Sequence, residues 1–451
     1  MRIIPTGIPV LDEILDGGLT EGSLTLISGY AGSGKSTLAS QIAYNYVKNY
    51  GQPVLYVNFT ESKDSFYLHM SKFGFNFKEY EEKGLFHYIE AVPGSLRRTE
   101  ELLARLKDFI KEKKVSMLII DSVSAMLAPL EINEARRLFT SIINHLTRIH
   151  KVTVIATAEM RIGEERVGMG FEEFIADNIF VLSFEERDNL IYRKMEIRKT
   201  RFSHTERICF EFILSDEGIK IYSPLIKEYE HKFSDERIPT GIKKLDDMLG
   251  GGLIRGCLTL FTGPVGTGKS LVALLAAVTN ALHGRRSLFI SFMEGVEQLK
   301  FRSRMMFGDI SMLESNGRLR FSYINPVLYT VGTIIHKINQ LIEETKPDVL
   351  IVDSLHMIKL AHRGINLPEF LYLLRHLIRA NNMVGLITIV CDAREAVCEE
   401  YSSLADTVVL FELRRIDNEA ERTVLVIKSI APETYDKPSR IIIKDWKIDL
   451  E

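Results

Sequence analysis

Two short runs carry the residues best suited to chemistry. "GYAGSGKST" spans residues 29–37 and "GPVGTGKSL" spans residues 263–271. Both fit the spacing of a phosphate-binding loop, G-x-x-x-x-G-K-[ST]. Glycine lets the backbone curl so that successive N–H groups face an anion. The candidate nucleotide set of the first run is Gly29, Ala31, Gly32, Ser33, Gly34, Lys35, Ser36 and Thr37. That of the second is Gly263, Val265, Gly266, Thr267, Gly268, Lys269, Ser270 and Leu271. Lys35 and Lys269 are expected to reach the outer phosphates. Ser36 and Ser270 are expected to ligate Mg²⁺ through their hydroxyls.

Acids at two further places complete the chemistry. "MLIIDS" and "VLIVDS" are apolar strands ending in Asp121 and Asp353. Ligands of open α/β sheets bind at the carboxyl ends of strands, so these acids are assigned to the Mg²⁺ shell. Transfer of a phosphoryl group to water also needs a residue to orient or deprotonate the water. "VNFTES" and "ISFMEG" place Glu61 and Glu294 just past another strand tip, in register, and both are candidates for that role. The ordinary alternative is a solvated acid opening the next helix, with Ser62 as a cap.

Strands and helices must hold these groups. Each loop follows a β-rich run ("SLTLISG", "CLTLFTG") and opens an apolar helical stretch. Buried strands alternating with helices indicate a mostly parallel sheet covered on both faces. Late in each half, "NIFVLSFEERDNLIYRKMEIRK" reads as a hairpin turning at Arg187-Asp188-Asn189. "TVVLFELRRIDNEAERTVLVIKS" reads as another, turning near Asp417-Asn418. Each half is therefore expected to end in antiparallel strands. "IPTGIPVLDEILDGGL" from Ile4 returns as "IPTGIKKLDDMLGGGL" from Ile238, so the chain is a tandem repeat of one α/β domain. The expected boundaries are 1–227, a polar linker at 228–236, and 237–451.

Composition narrows the function classes. The chain has 451 residues, 46% hydrophobic and 26% charged, which suits two globular domains rather than a disordered chain. Its formal net charge of -3 offers no broad positive field for nucleic acid. Cys209, Cys257, Cys391 and Cys398 form no CxxC pair and no zinc spacing, so they read as reduced thiols. The first residues lack an apolar signal core, and the apolar run 271–282 is too short for a bilayer. A cytoplasmic protein without a membrane span is expected.

Taken together, the residues resemble the KaiC family of double-domain P-loop ATPases, within the RecA superfamily. The resemblance rests on the two "IPTGI" segments, both phosphate loops, "IIDS" and "IVDS", and "FEEFIADNIFVL" before the first hairpin. It implies two RecA-like P-loop domains, ATP with Mg²⁺ as ligands, and a homo-hexameric ring with nucleotide between neighbours. It also implies that a Lys-x-Arg after the late hairpin reaches a neighbour's nucleotide. Lys199 and Arg201 match that pattern, whereas in the second copy Lys428 is followed by Ile430 where the arginine would stand. Clock-type members carry two adjacent glutamates where this chain has Thr60-Glu61 and Met293-Glu294; the resemblance implies that the lost position is the one that acts as base, so either hydrolysis is slow or Glu61 and Glu294 take the role. Ser402 and Ser403 fall at the family's autophosphorylated pair, although turn or cap serines are the common alternative.

The leading expectation is an ATP-hydrolysing ring acting as a regulatory hub with a protein partner in signalling. Domain 1 supplies most turnover in this reading. A nucleotide-gated scaffold with incidental hydrolysis is the second reading. A DNA-acting recombinase or helicase is the third. It is disfavoured by residues 159–173, where Glu159, Glu164, Glu165, Glu172 and Glu173 face only Arg161 and Arg166.

Overall fold

Successive residues of a strand point to opposite faces of its sheet. Val54 and Tyr56 enter one core cluster, while Leu55 and Val57 enter another. Ile119 belongs to the first, and Leu118 and Ile120 to the second. Both faces of the sheet are buried, which is why these strands read as nearly continuous apolar runs. A computed structural model of the chain describes residues 2–160, 163, 166–201, 208–221, 234–391, 399–416, 419–430 and 437–451. It divides into two units, Met1–Ser223 and Pro224–Glu451. Most of the expected linker, residues 228–233, lies outside the described residues, as do Cys398 and the Asp417-Asn418 turn.

The principal elements of domain 1 are β1 (Leu24–Gly29), α1 (Lys35–Tyr50), β2 (Val54–Asn58) and α2 (Lys63–Ser71). Next come β3 (Phe86–Glu90), α3 (Leu96–Lys113), β4 (Met117–Asp121), α4 (Ile132–Asn144) and β5 (Thr153–Glu159). β6 (Asn178–Arg187), β7 (Leu190–Thr200), β8 (Ile208–Ser215) and β9 (Gly218–Ile221) follow. The sheet runs β9-β8-β7-β6-β1-β5-β4-β2-β3. From β6 to β3 the pairs are parallel, and from β6 to β9 they are antiparallel. The β6–β7 turn is Asp188-Asn189, both with positive φ (49° and 60°), the backbone a two-residue hairpin needs.

Helices cover the sheet by their spacing of apolar residues. α3 buries Thr99, Leu103, Leu106 and Ile110, one stripe at intervals of three and four. Each aliphatic so buried contributes roughly 1.5–3 kcal/mol relative to exposure. The helix ends at Lys114 in a left-handed conformation (φ 53°), whose N–H bonds the Ile110 carbonyl.

Domain 2 repeats the plan. Its elements are β10 (Leu258–Gly263), α5 (Lys269–Leu282), β11 (Ser287–Ser291), α6 (Val296–Phe307) and β12 (Leu319–Tyr323). They continue with α7 (Val331–Thr345), β13 (Val349–Asp353), α8 (Leu367–Ala380) and β14 (Val384–Val390). β15 (Thr407–Ile416), β16 (Glu419–Lys428), β17 (Ser439–Lys444) and β18 (Lys447–Leu450) close it. The order β12-β11-β13-β14-β10-β15-β16-β17-β18 matches domain 1 strand for strand. Each hairpin even carries a bulge at its base, at Ile179/Phe180 and at Val408/Val409.

Candidate functional site

Each phosphate loop runs from the tip of its central strand into its helix. Gly29 and Gly263 close the strand where no side chain fits. A Cβ on Gly29 would lie 2.1 Å from the Leu182 carbonyl oxygen, and one on Gly263 would lie 1.9 Å from that of Phe411. Gly34 and Gly268 turn the chain into the helix with φ of 104° and 102°, a conformation that favours glycine.

The loop lysines point back into their loops. Lys35 Nζ donates to the carbonyls of Gly29 (3.0 Å) and Tyr30 (2.9 Å). Lys269 Nζ donates to Gly263 (2.7 Å), Pro264 (2.6 Å) and Thr267 Oγ1 (3.2 Å). Burial lowers the pKa of both amines, and that of Lys269 falls to about 8. Both are therefore desolvated cations whose charge an approaching anion stabilises. Thr267 braces its loop through the Pro264 carbonyl at 2.9 Å, whereas the buried Ser33 hydroxyl has no partner.

The acid at the end of the neighbouring strand is held differently in the two copies. In domain 2, Ser270 Oγ donates to Asp353 Oδ1 at 2.8 Å, and Thr388 Oγ1 donates to the same oxygen. Burial raises the Asp353 pKa, against the pull of these two hydroxyls. In domain 1, Asp121 accepts from Thr157 Oγ1 at 2.5 Å and from the Tyr56 hydroxyl at 2.8 Å. Ser36 is not hydrogen-bonded to Asp121. Tyr56 in turn accepts from Ser40 at 3.3 Å, and its phenol is pushed up in pKa by burial and by Asp121. A hydroxyl and a carboxylate converging at a loop are hard oxygen donors, the chemistry that suits Mg²⁺.

Glu61 and Glu294 sit one turn past β2 and β11. The strand-end side chains fix their backbones: Asn58 Oδ1 accepts from Glu61 N at 3.0 Å, and Ser291 Oγ from Glu294 N at 2.8 Å. Ser62 caps α2, its Oγ accepting from Ser65 N at 3.4 Å. The carboxylates then diverge. Glu61 Oε1 accepts from Ser65 Oγ at 2.7 Å and meets the exposed His69 ring at 2.6 Å. Glu294 Oε1 is clamped by Arg302 at 2.5 Å, while its Oε2 is buried without a partner.

The late-hairpin lysines stand opposite the first residues of β6 and β15, Lys199 opposite Ile179 and Lys428 opposite Val408, toward the strand ends away from the phosphate loop. Lys199 Nζ donates to the Glu173 carbonyl at 2.8 Å. Arg201 donates to the Phe174 carbonyl at 2.9 Å and pairs with Asp177 at 3.3 Å. Lys428 donates to the carbonyls of Ala405 (2.7 Å) and Ser402 (2.9 Å). Ser402 ends a short helix, Glu399–Ser402, and its buried hydroxyl has no hydrogen-bond partner, so it is not a cap. Ser403 is exposed in the turn that follows. Thr37 and Leu271 lie in the first turns of α1 and α5.

Some residues at the site carried no motif. Arg422 on β16 donates through Nε to the Gly266 carbonyl at 3.0 Å, a second cation against the loop. Arg193 stands six residues before Lys199, as Arg422 does before Lys428, and its buried Nε has no partner. That register between the two copies was the available signal. Tyr56, His69 and Arg302 gave none. Among the described residues there is no cluster of three His, Cys, Asp or Glu side chains able to hold a metal, and no helix long and apolar enough to cross a membrane.

Comparison with known proteins agrees with this duplicated geometry. The chain is 29% identical to a protein named "Circadian clock protein KaiC3" from Synechocystis sp., over 99% of this chain and 90% of that one. It is 27% identical to "Circadian clock protein KaiC2" of the same organism, over 99% of this chain and 81% of the relative. The "Circadian clock oscillator protein KaiC" of Rippkaea orientalis is 27% identical over 95% of this chain and 84% of its own. The model of the KaiC ATPase family matches twice, at residues 4–226 and 238–449. Two complete sets of loop, lysine, strand-end acid and late hairpin, on two matched domains, make this chain a member of the KaiC ATPase family.

Proposed function

We propose that the protein is a homo-hexameric ring that binds ATP-Mg²⁺ between neighbouring copies and hydrolyses it mainly in domain 1. In this reading domain 1 ends near residue 227 and domain 2 begins near residue 237. The observation that carries the reading is the contrast between Glu61 and Glu294. Glu61 is held through Oε1 by Ser65 and by the exposed His69, a partner charged only when protonated, so its carboxylate keeps the capacity to orient water. Glu294 is neutralised by Arg302, which ties the same acid to α6.

Backbone N–H groups of the loops, with Lys35 and Lys269, would bind the phosphates. Ser36 with Asp121 and Ser270 with Asp353 would hold Mg²⁺, which when bound neutralises charge on the outer phosphates. Lys199 and Arg201 would reach the nucleotide of an adjacent copy, as Lys428 would from domain 2. The exposed Ser403 and the unpartnered Ser402 are candidate phosphorylation sites. The slower second ring would present its nucleotide state to a protein partner, as a signalling hub in the cytoplasm. Light scattering with and without ATP-Mg²⁺, on wild type, Lys35→Ala and Lys269→Ala, tests the assembly. A wild-type chain that stays monomeric in ATP-Mg²⁺ overturns the reading.

The clamp on Glu294 also favours a second reading for domain 2 alone, a static nucleotide-gated scaffold. Glu61→Gln separates the two: ring formation that survives loss of hydrolysis assigns assembly to binding.

A further inference from the structure

Asp177 and Asp406 occupy the same place in the two domains. Asp177 N donates to the Leu24 carbonyl at 2.9 Å, and its Oδ2 accepts from Leu24 N at 2.9 Å. Asp406 makes the same two-way clasp with Leu258, again at 2.9 Å in each direction. The remaining oxygen, Oδ1, holds a guanidinium in both cases. In domain 1 it belongs to Arg201, at 3.3 Å. In domain 2 the residue at that position is Ile430, yet two guanidiniums are present. Arg375 and Arg379, both from α8, donate to Asp406 Oδ1 at 2.8 and 2.9 Å. The cation has changed its origin in the chain and kept its anchor.

The substitution also changes the charge. One carboxylate faces two arginines, and Lys428 beside them bonds only carbonyls. Among these four groups three cations stand with one carboxylate. The Arg375 and Arg379 side chains are 22% and 29% exposed, while their Nε atoms are buried without a partner. Each guanidinium has five N–H groups in a planar fork that matches phosphate. Neither arginine could be read from a hairpin motif, because neither lies on the hairpin.

We infer that Arg375 and Arg379 supply to domain 2 the guanidinium that Arg201 supplies to domain 1, forming with Lys428 a cationic edge that grips the polyphosphate of the nucleotide on domain 2 of a neighbouring copy. This rests on the ring reading above. It revises the expectation that Lys428 stands there alone. Domain 2 is thereby equipped to retain nucleotide tightly while its clamped Glu294 leaves hydrolysis slow.

The test is release of a fluorescent ATP analogue from the full chain in Mg²⁺, with the domain-2 phase identified as the one that Lys269→Ala removes. The double variant Arg375→Gln/Arg379→Gln is expected to speed that phase about tenfold or more. Adding Ile430→Arg to it is expected to restore slow release, because the guanidinium returns beside the same acid. Adding Asp406→Asn instead removes the orphaned buried carboxylate, so that variant folds and still releases fast. Unchanged release from a folded double variant overturns the assignment. So does a loss that Ile430→Arg leaves in place while Asp406→Asn repairs it, since the arginines would then be structural. A wild-type chain that neither assembles nor retains the analogue fails the ring reading instead, before any arginine is changed.

Discussion

The Tyr56 hydroxyl donates to the carboxylate of Asp121 across 2.8 Å inside the domain 1 core. Domain 2 has Phe289 at the matching strand position, and there Ser270 meets the acid instead. The two strand-end acids thus have the same place and different neighbours. Tyr56→Phe leaves a buried acid short of one donor. It is expected to destabilise domain 1 by about 1–3 kcal/mol, seen as a lower urea midpoint at unchanged slope. An unchanged midpoint would show that the bond contributes nothing.

The division of labour predicts unequal effects of the two loop lysines. Lys35→Ala should remove most steady-state ATP turnover. Lys269→Ala should remove a minor part of it and abolish the slow phase of nucleotide release. Equal losses of turnover from the two variants contradict the division.

The clamp on Glu294 predicts a gain of function. In a Lys35→Ala background, Arg302→Gln frees that carboxylate, and residual hydrolysis should rise. In a Lys269→Ala background, Glu61→Gln should lower the remaining hydrolysis by about a hundredfold or more, the usual scale for a general base. A rise after Arg302→Gln that Glu294→Gln does not reverse would assign the effect elsewhere.

The lowered pKa of Lys269, about 8 against an ordinary 10.5, gives two pH dependences of opposite sign. The unfolded chain binds the extra proton between those values, so ligand-free stability of domain 2 rises with pH across that window. The cost of the buried ammonium is fully present below pH 8. Nucleotide favours the ammonium, so affinity at this site falls as pH rises above 8, by up to about tenfold per unit. Calorimetric unfolding and equilibrium binding from pH 7 upward should show both trends, and Lys269→Met should flatten both.

Much of the fold was legible because the chain states it twice. β-rich runs, the phosphate loops and the hairpins recur in register, and the Asp188-Asn189 turn needed no more than its residue types. The site was legible where a motif fixes chemistry to spacing, as at Lys35 and Lys269. It was not legible where a contact joins residues far apart in sequence. Tyr56 lies 65 positions from Asp121, and its aromatic ring reads as strand core. Arg375 and Arg379 lie 31 and 27 positions before Asp406 on an amphipathic helix, where arginine reads as a solvated face. His69 and Arg302 reach back from α2 and α6 to acids that precede those helices, and an i-to-i+8 pairing leaves no distinctive pattern.

The contact between Gly29 and Leu182 has a mechanical meaning. Leu182 is opposite Gly29, and three residues back along the same strand Ile179 is opposite Lys199. Only about 10 Å of paired backbone separates the level of the phosphate loop from that of Lys199. That interval has backbone hydrogen bonds on both sides and is interrupted only by the bulge at Ile179/Phe180. In domain 1 the phosphate loop and the hairpin lysine are thus joined through a single strand, β6, with no connecting loop between their two contacts on it.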